Sequence, residues 1–177
     1  MVATISPFNS IGRTRIAQLI NKSNQFNLTT RRYSERDVEQ FENAPDKFCL
    51  QLSLADRFGD NGMIAVVIFD RAADEWRCDT WLMSCRVLGR RAEHMVLREI
   101  LEHARAAGIQ KLSGVYCPTE RNGLVVDHYE KLGFTRVAKE ESGLTRWELV
   151  VAAADPKKAP MKVVSSGFAV VMEESAA

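Results

Sequence analysis

Trp81-Leu82-Met83-Ser84-Cys85-Arg86-Val87-Leu88-Gly89-Arg90-Arg91 is an apolar run that breaks at a glycine, and the chain after it is helical in period. Apolar side chains recur at Ala92, Met95, Val96, Ile100, Leu101 and Ala104 before a stop at Gly108, the spacing of one buried helix face. Strand, glycine-containing turn and helix, in that order, gather backbone N–H groups and the positive end of a helix dipole at one point. Such a point suits a phosphate or pyrophosphate. Taken alone, the turn at Gly89 is equally an ordinary strand-to-helix connection. Residues 111–117 form a second apolar run that leads to a polar corner, Pro118-Thr119-Glu120-Arg121-Asn122. A short helical pattern then carries Leu124, Val125, His128, Tyr129 and Leu132 into Gly133-Phe134.

Working outward, residues 1–10 read as a frayed terminus, and Asn9 or Ser10 caps a helix whose stripe is Ile16, Leu19 and Ile20, ending near Ser23. Residues 26–33 read as a first strand. Ser34 caps the next helix, with Glu35 and Asp37 in its first turn, and Pro45 halts it. Residues 47–55 alternate, with Phe48, Leu50, Leu52 and Leu54 on one side, as a half-buried strand does. Gly59-Asp60-Asn61-Gly62 turns the chain into residues 63–69, apolar enough throughout for a central strand. Residues 76–85 return as a third strand of this meander. Residues 135–138 and 145–151 close the sheet, and only the last strand-helix-strand units need parallel crossovers. The expected fold is α/β: a mixed, mostly antiparallel twisted sheet flanked by helices. Residues 1–25 form an N-terminal segment and helix, 26–151 the main domain, and 152–177 a linker and tail. In that tail, residues 161–164 and 168–172 are short strands suited to a sheet edge or to a neighbouring subunit in a homodimer.

The 177 residues suffice for a two-layer core. With 24 basic and 23 acidic side chains the net charge is +1, which gives no ground for nucleic-acid or membrane-surface partners. No apolar run reaches the roughly 18 residues of a membrane span, so a cytoplasmic protein is expected. Cys49, Cys78, Cys85 and Cys117 are scattered and without a Cys-x-x-Cys pair, and His94, His103 and His128 lack metal-ligand spacing. Reduced thiols and no metal site are expected.

Arg86-x-x-Gly89 opening a helix, an Asn that starts the next helix after a strand, and Tyr129-Glu130-Lys131-Leu132-Gly133-Phe134 together resemble the GNAT acyltransferase superfamily. Its pyrophosphate loop reads Gln/Arg-x-x-Gly-x-Gly/Ala, and Arg91 stands here where that motif ends in Gly or Ala, with Ala92 one step later. The resemblance implies splayed central strands and an acyl-CoA donor, acetyl-CoA or another. A narrower likeness is carried by residues 15–32, by Ser84-Cys85-Arg86-Val87-Leu88-Gly89-Arg90 and by Tyr116-x-Pro118-Thr119-x-x-Asn122. These look like the C-terminal half of the FkbH-like proteins, which load glyceryl units onto an acyl carrier protein for polyketide extender units. That likeness implies the phosphopantetheine of a carrier protein as an alternative donor or acceptor. The phosphatase motif Asp-x-Asp-x-Thr/Val of such proteins is absent from this sequence.

By resemblance, the donor lies along Met83, Cys85, Arg86, Val87, Leu88, Gly89, Arg90 and Arg91, with Asn122 near its pantetheine arm and Tyr129 protonating the departing thiolate. A phenol of pKa about 10 is protonated at neutral pH and can donate to a thiolate whose acid has pKa about 8.5. Tyr129 is equally an aromatic on a core stripe, and Asn122 is sufficiently explained as a helix cap. Backbone N–H groups near Met83 to Cys85 are the candidate oxyanion donors. Cys85, beside Arg86 and ahead of a helix N-terminus, is a candidate acyl-carrying nucleophile or else a small strand filler. Asp79, Glu120 and His128 are equal candidates for a general base. Arg86, Arg90, Arg91 and Arg121 would meet an acidic carrier protein; the non-catalytic alternative is a GNAT-like module that recruits a carrier or partner enzyme.

Overall fold

The computed structural model describes residues 1–87 and 89–168. The meander is built as the alternation requires. Strand β2 (Lys47–Asp56) pairs antiparallel with β3 (Gly59–Arg71), and β3 with β4 (Glu75–Met83). Phe48, Leu50, Leu52 and Leu54 join Val67, Phe69, Trp76 and Trp81 in the larger core. The opposite face of β3 supplies Val66 and Ile68 to a second core with Ile16, Ile20 and Val38. Both faces of β3 are therefore covered, the condition that makes a central strand apolar at every position.

Helix α1 (Arg13–Lys22) and helix α2 (Glu35–Glu42) cover the second core. Helix α2 begins with the expected Ser34 cap, and its box is completed by Asp37, whose carboxylate accepts from the Ser34 N–H at 2.7 Å. Helix α1 begins later than Asn9 or Ser10 implies: Asn9 Oδ1 accepts from the Gly12 N–H at 2.9 Å, holding a turn ahead of the helix instead of capping it. Helix α3 (Ala92–Ala106) covers the larger core, and its apolar stripe is buried as the period predicts.

Strand β5 (Lys111–Tyr116) runs parallel to β4, and α4 is a single turn (His128–Lys131) preceded by a 3-10 turn at Gly123–Val125. Strands β6 (Thr135–Lys139) and β7 (Thr145–Val150) form the closing hairpin. The terminus at residues 1–10 is not frayed: β1 (Val2–Ser6) pairs antiparallel with β2, because alternation sends Ala3 and Ile5 into the core. Strand β8 (Lys162–Ser165) adds to β1 in parallel, which realises the sheet-edge reading of residues 161–164. Residues 169–172 of the second tail strand lie outside the described residues. The sheet order is β6-β7-β5-β4-β3-β2-β1-β8, antiparallel except at β4·β5 and β1·β8. No helix of the described residues is long and apolar enough to cross a membrane.

Residues 26–33 do not form the expected first strand. Only Asn27 makes a bridge, antiparallel to Leu82. The extended stretch ends at once because the Asn27 side chain accepts from the Thr30 N–H at 2.9 Å and Thr30 turns to a φ of 54°, a local bond that competes with any ladder.

Candidate functional site

The site begins with one extra residue. The register of β3 against β4 steps from Ile68↔Thr80 to Phe69↔Cys78, which leaves Asp79 unmatched, and a bulge of this kind bends its strand. Beyond it β4 and β5 separate: they pair only from Glu75↔Lys111 to Arg77↔Ser113. The bulged Asp79 is buried, with its carboxylate accepting from the Tyr33 hydroxyl at 2.9 and 3.0 Å, from Thr80 Oγ1 at 2.8 Å and from the Arg31 guanidinium. Burial, reinforced by Asp79, pushes the Tyr33 hydroxyl up to about 12.

Residues 26–29 fill the gap. Met83 N–H donates to the Phe26 carbonyl at 3.1 Å, Leu28 N–H to the Trp81 carbonyl at 3.3 Å, and Cys117 N–H to the Leu28 carbonyl at 2.9 Å. The segment thus fills the space between β4 and the exit of β5 through main-chain bonds and one bridge, without becoming a strand. Thr29 Oγ1 adds a bond to the Asp79 carbonyl at 2.8 Å. Two of the amides considered as oxyanion donors are occupied, Met83 by Phe26 and Ser84 by the Ile64 carbonyl at 2.7 Å.

Asn122 ties the assembly together. It is fully buried, and its Nδ2 donates to the Asn27 carbonyl at 3.1 Å and the Cys117 carbonyl at 2.9 Å. Its Oδ1 accepts from the Thr119 N–H at 2.7 Å and from the Tyr116 hydroxyl at 3.2 Å. It does not cap the 3-10 turn that follows; its hydrogen-bonding capacity is spent on the corner and the inserted segment.

On the far side of β4, Cys85–Val87 is a 3-10 turn, Gly89 has a φ of 76°, and Arg91 takes the left-handed conformation at 58° where α3 begins. No side chain caps that helix. Gly89, Arg90 and Arg91 are exposed, and the Arg90 amide closes the turn onto the Val87 carbonyl at 3.1 Å. Leu88, expected among the donor contacts, lies outside the described residues. Met83, Ser84 and Cys85 line a cleft of about 370 Å³ opposite Lys22, Phe26 and Arg121. An adjoining hollow of about 360 Å³ contains Thr30, Arg32, Thr119 and Arg121. Cys85 is the exposed cysteine, and burial pushes Cys49 and Cys78 up to about 12.

Tyr129 lies in the core, 1% exposed. Its hydroxyl faces Cys78 and the Val115 backbone without completing a hydrogen bond, and burial holds its pKa well above the ordinary value. It shares this condition with near neighbours. Trp81 Nε1 and His128 Nε2 are buried and have no partner among the described residues, and the two rings meet edge to face at 4.8 Å. Each such atom costs about 1–3 kcal/mol relative to a satisfied one. The structure therefore brings together Met83, Cys85 and Arg121 around the cleft, with His128 behind its Phe26 wall and Tyr129 next to His128, while Arg86, Val87, Gly89, Arg90 and Arg91 are not among the residues that line it. The sequence reading did not single out Trp81 or the insertion of residues 26–29. The Asn27-x-x-Thr30 turn signal was the available hint.

No known protein family and no curated protein matches the sequence. Solved structures do. The GNAT domain of Streptomyces lividans PAT is 21% identical, with a TM-score of 0.65 over 82% of this chain and 89% of that one. The ribosomal-protein-S18-alanine N-acetyltransferase of Escherichia coli is 15% identical, with a TM-score of 0.62 over 86% and 96%. Spermidine N-acetyltransferase of Vibrio cholerae, solved with CoA and spermine, is 11% identical, with a TM-score of 0.63 over 85% and 96%. At these identities the likeness is one of architecture, and by that architecture the chain has the GNAT fold.

Proposed function

We propose that this protein is an acyltransferase whose donor is a pantetheine thioester, acetyl-CoA or another acyl-CoA, or the phosphopantetheine of a carrier protein. The observation that carries the reading is the parting of β4 from β5 at the Asp79 bulge, which leaves the Trp81 carbonyl and the Met83 N–H on an edge held only by a loop. A pantetheine arm has two amides able to pair with such an edge. Its diphosphate end would rest at the Gly89 turn, against Arg86, Val87, Leu88, Arg90, Arg91 and the uncapped start of α3.

The acceptor's amine, hydroxyl or thiol attacks the thioester carbonyl, a new bond to carbon forms, and the carbon–sulfur bond breaks as the oxyanion collapses. In this reading Tyr129 gives its proton to the departing thiolate. Asp79 beside the bulge is buried and already accepts from Tyr33, Thr80 and Arg31, so in this reading water takes the acceptor's proton. Calorimetric titration with acetyl-CoA tests the donor site: the wild-type chain binds, and Gly89→Glu, which sets an anion in the exposed turn, does not. Equal affinity in the variant removes the site.

A second reading is favoured by one observation, the burial of the Tyr129 hydroxyl together with the occupation of the Met83 N–H. It is a non-catalytic module of an FkbH-like system that docks an acyl carrier protein for glyceryl-unit loading, through Asn122-braced loops and the basic side chains Arg86, Arg90, Arg91 and Arg121. Binding of a holo carrier protein without binding of free CoA selects it.

A further inference from the structure

One side chain, Phe26, stands between the open cleft and the ring of His128. Phe26 lines the cleft beside Met83 and Cys85. Its ring also stands edge to face against His128, with centroids 5.3 Å apart. His128 in turn contacts Trp81 at 4.8 Å and Tyr129 at 5.6 Å. His128 Nε2, Trp81 Nε1 and the Tyr129 hydroxyl are all buried and lack partners among the described residues. A sealed core does not need this. A single orphan is tolerated in native proteins, but His128 Nε2 is one of three on touching rings and belongs to the ring that Phe26 meets, which points to a ligand that reaches it from the cleft.

The partition is built to be exchanged. Residues 26–28 keep their place through main-chain hydrogen bonds to Met83, Trp81 and Cys117, the same groups that an incoming chain with two amides would use, and also through the Asn122 Nδ2 bond to the Asn27 carbonyl and the burial of Leu28. Replacing one set of bonds by the other changes little in net hydrogen bonding. The ring of Phe26 leaves with its backbone, and the cleft then extends to the His128 ring.

We propose, building on the acyl-transfer reading, that Phe26 is a displaceable partition and that His128 is a concealed donor contact whose Nε2 hydrogen-bonds the thioester end of the pantetheine arm once residues 26–28 leave the β4 edge. Its ring is neutral in the closed state, since burial pushes the imidazole down to about 3, so Nε2 meets the arm as a hydrogen-bonding atom and not as a cation.

The test uses the full chain, acetyl-CoA calorimetry and thermal denaturation, with three variants. His128→Phe keeps an aromatic ring and removes the orphan nitrogen. It is expected to bind acetyl-CoA about tenfold more weakly while melting at the same temperature or higher, a split that a purely structural histidine does not produce. His128→Gln restores affinity to within about threefold of wild type. Phe26→Ala weakens the partition and binds at least as tightly as wild type. Unchanged affinity in His128→Phe overturns the proposal, as does a joint loss of affinity and melting temperature that Gln does not repair. Amide exchange in the ligand-free protein separates this idea from the reading beneath it. Leu28 and Met83 exchanging faster than Val67 supports a displaceable segment, whereas exchange only on global unfolding overturns it. If no acetyl-CoA and no holo carrier protein binds to any variant, the acyl-transfer reading falls and the His128 contact falls with it.

Discussion

A methyl group at position 114 would stand 2.2 Å from Cζ of Tyr129 and 2.3 Å from its hydroxyl oxygen. The glycine of β5 is there because the tyrosine of α4 lies across it. Closely packed cores do not absorb such overlap without moving a ring or a strand.

Gly114→Ala is therefore expected to destabilise the protein by about 1–3 kcal/mol, measured as a shift in the urea midpoint. In a Tyr129→Leu background most of that penalty disappears, since the branched chain ends short of the glycine. Equal penalties in both backgrounds would show that the contact is not the cause.

Asn122→Ala removes four internal contacts and leaves the Asn27 and Cys117 carbonyls without their buried donor. The expected cost is about 3 kcal/mol, again from urea unfolding. Asn122→Asp retains the two accepted bonds and loses both donated ones, so it also destabilises. In either variant the Leu28 and Met83 amides exchange faster, because the inserted segment has lost its brace.

His128 makes the protein sensitive to acid. Burial is the main cause of its depressed pKa, and His94, Asp127 and Lys131 are the titratable groups around it. Between its ordinary value of 6.5 and about 3, the unfolded chain binds a proton on this ring that the folded protein excludes. Stability then rises with pH across that window by about 1.4 kcal/mol per pH unit from this group alone, and is lost as pH falls through it. The difference between the wild-type and His128→Phe stability curves isolates the effect: the two separate below pH 6.5 and run parallel above it. Curves parallel from pH 3 upward would refute the assignment.

The four thiols should differ in reactivity with iodoacetamide at pH 8. Cys85 is exposed and reacts first, and Cys117, partly buried and with its pKa raised by that burial, follows slowly. Cys49 and Cys78, pushed up to about 12 by burial, react only on unfolding. Peptide mapping by mass spectrometry gives the order. Rapid alkylation of Cys85 already at pH 6 would mark it as an activated nucleophile.

The larger part of the architecture was readable along the chain because it depends on period and on punctuation. The alternation at Phe48, Leu50, Leu52 and Leu54 specified a strand with one core face, the Ser34 cap specified a helix start, and the Gly89 break specified the turn into α3. Each of these is a local preference that tertiary contacts then reinforced. The short apolar alternation of Val2–Ser6 was as local a signal, but five residues at a terminus form a strand only where a neighbour offers an edge, and β2 does.

The functional geometry depended on position in space. Nothing local says that Asp79 bulges, because a bulge is a mismatch between two strands, or that residues 26–29 enter the gap which that bulge opens. Asn122 is a helix cap by its neighbours in sequence and a brace by its partners in the fold, since its bonds to Asn27 join residues 95 positions apart. The periodic burial of side chains, a property of each segment, was determined by the sequence itself. Which polar atoms of His128, Trp81 and Tyr129 would be buried without partners was decided only when packing brought the α4 turn against β4, because hydrogen-bond satisfaction belongs to pairs of groups and not to the residues that carry them.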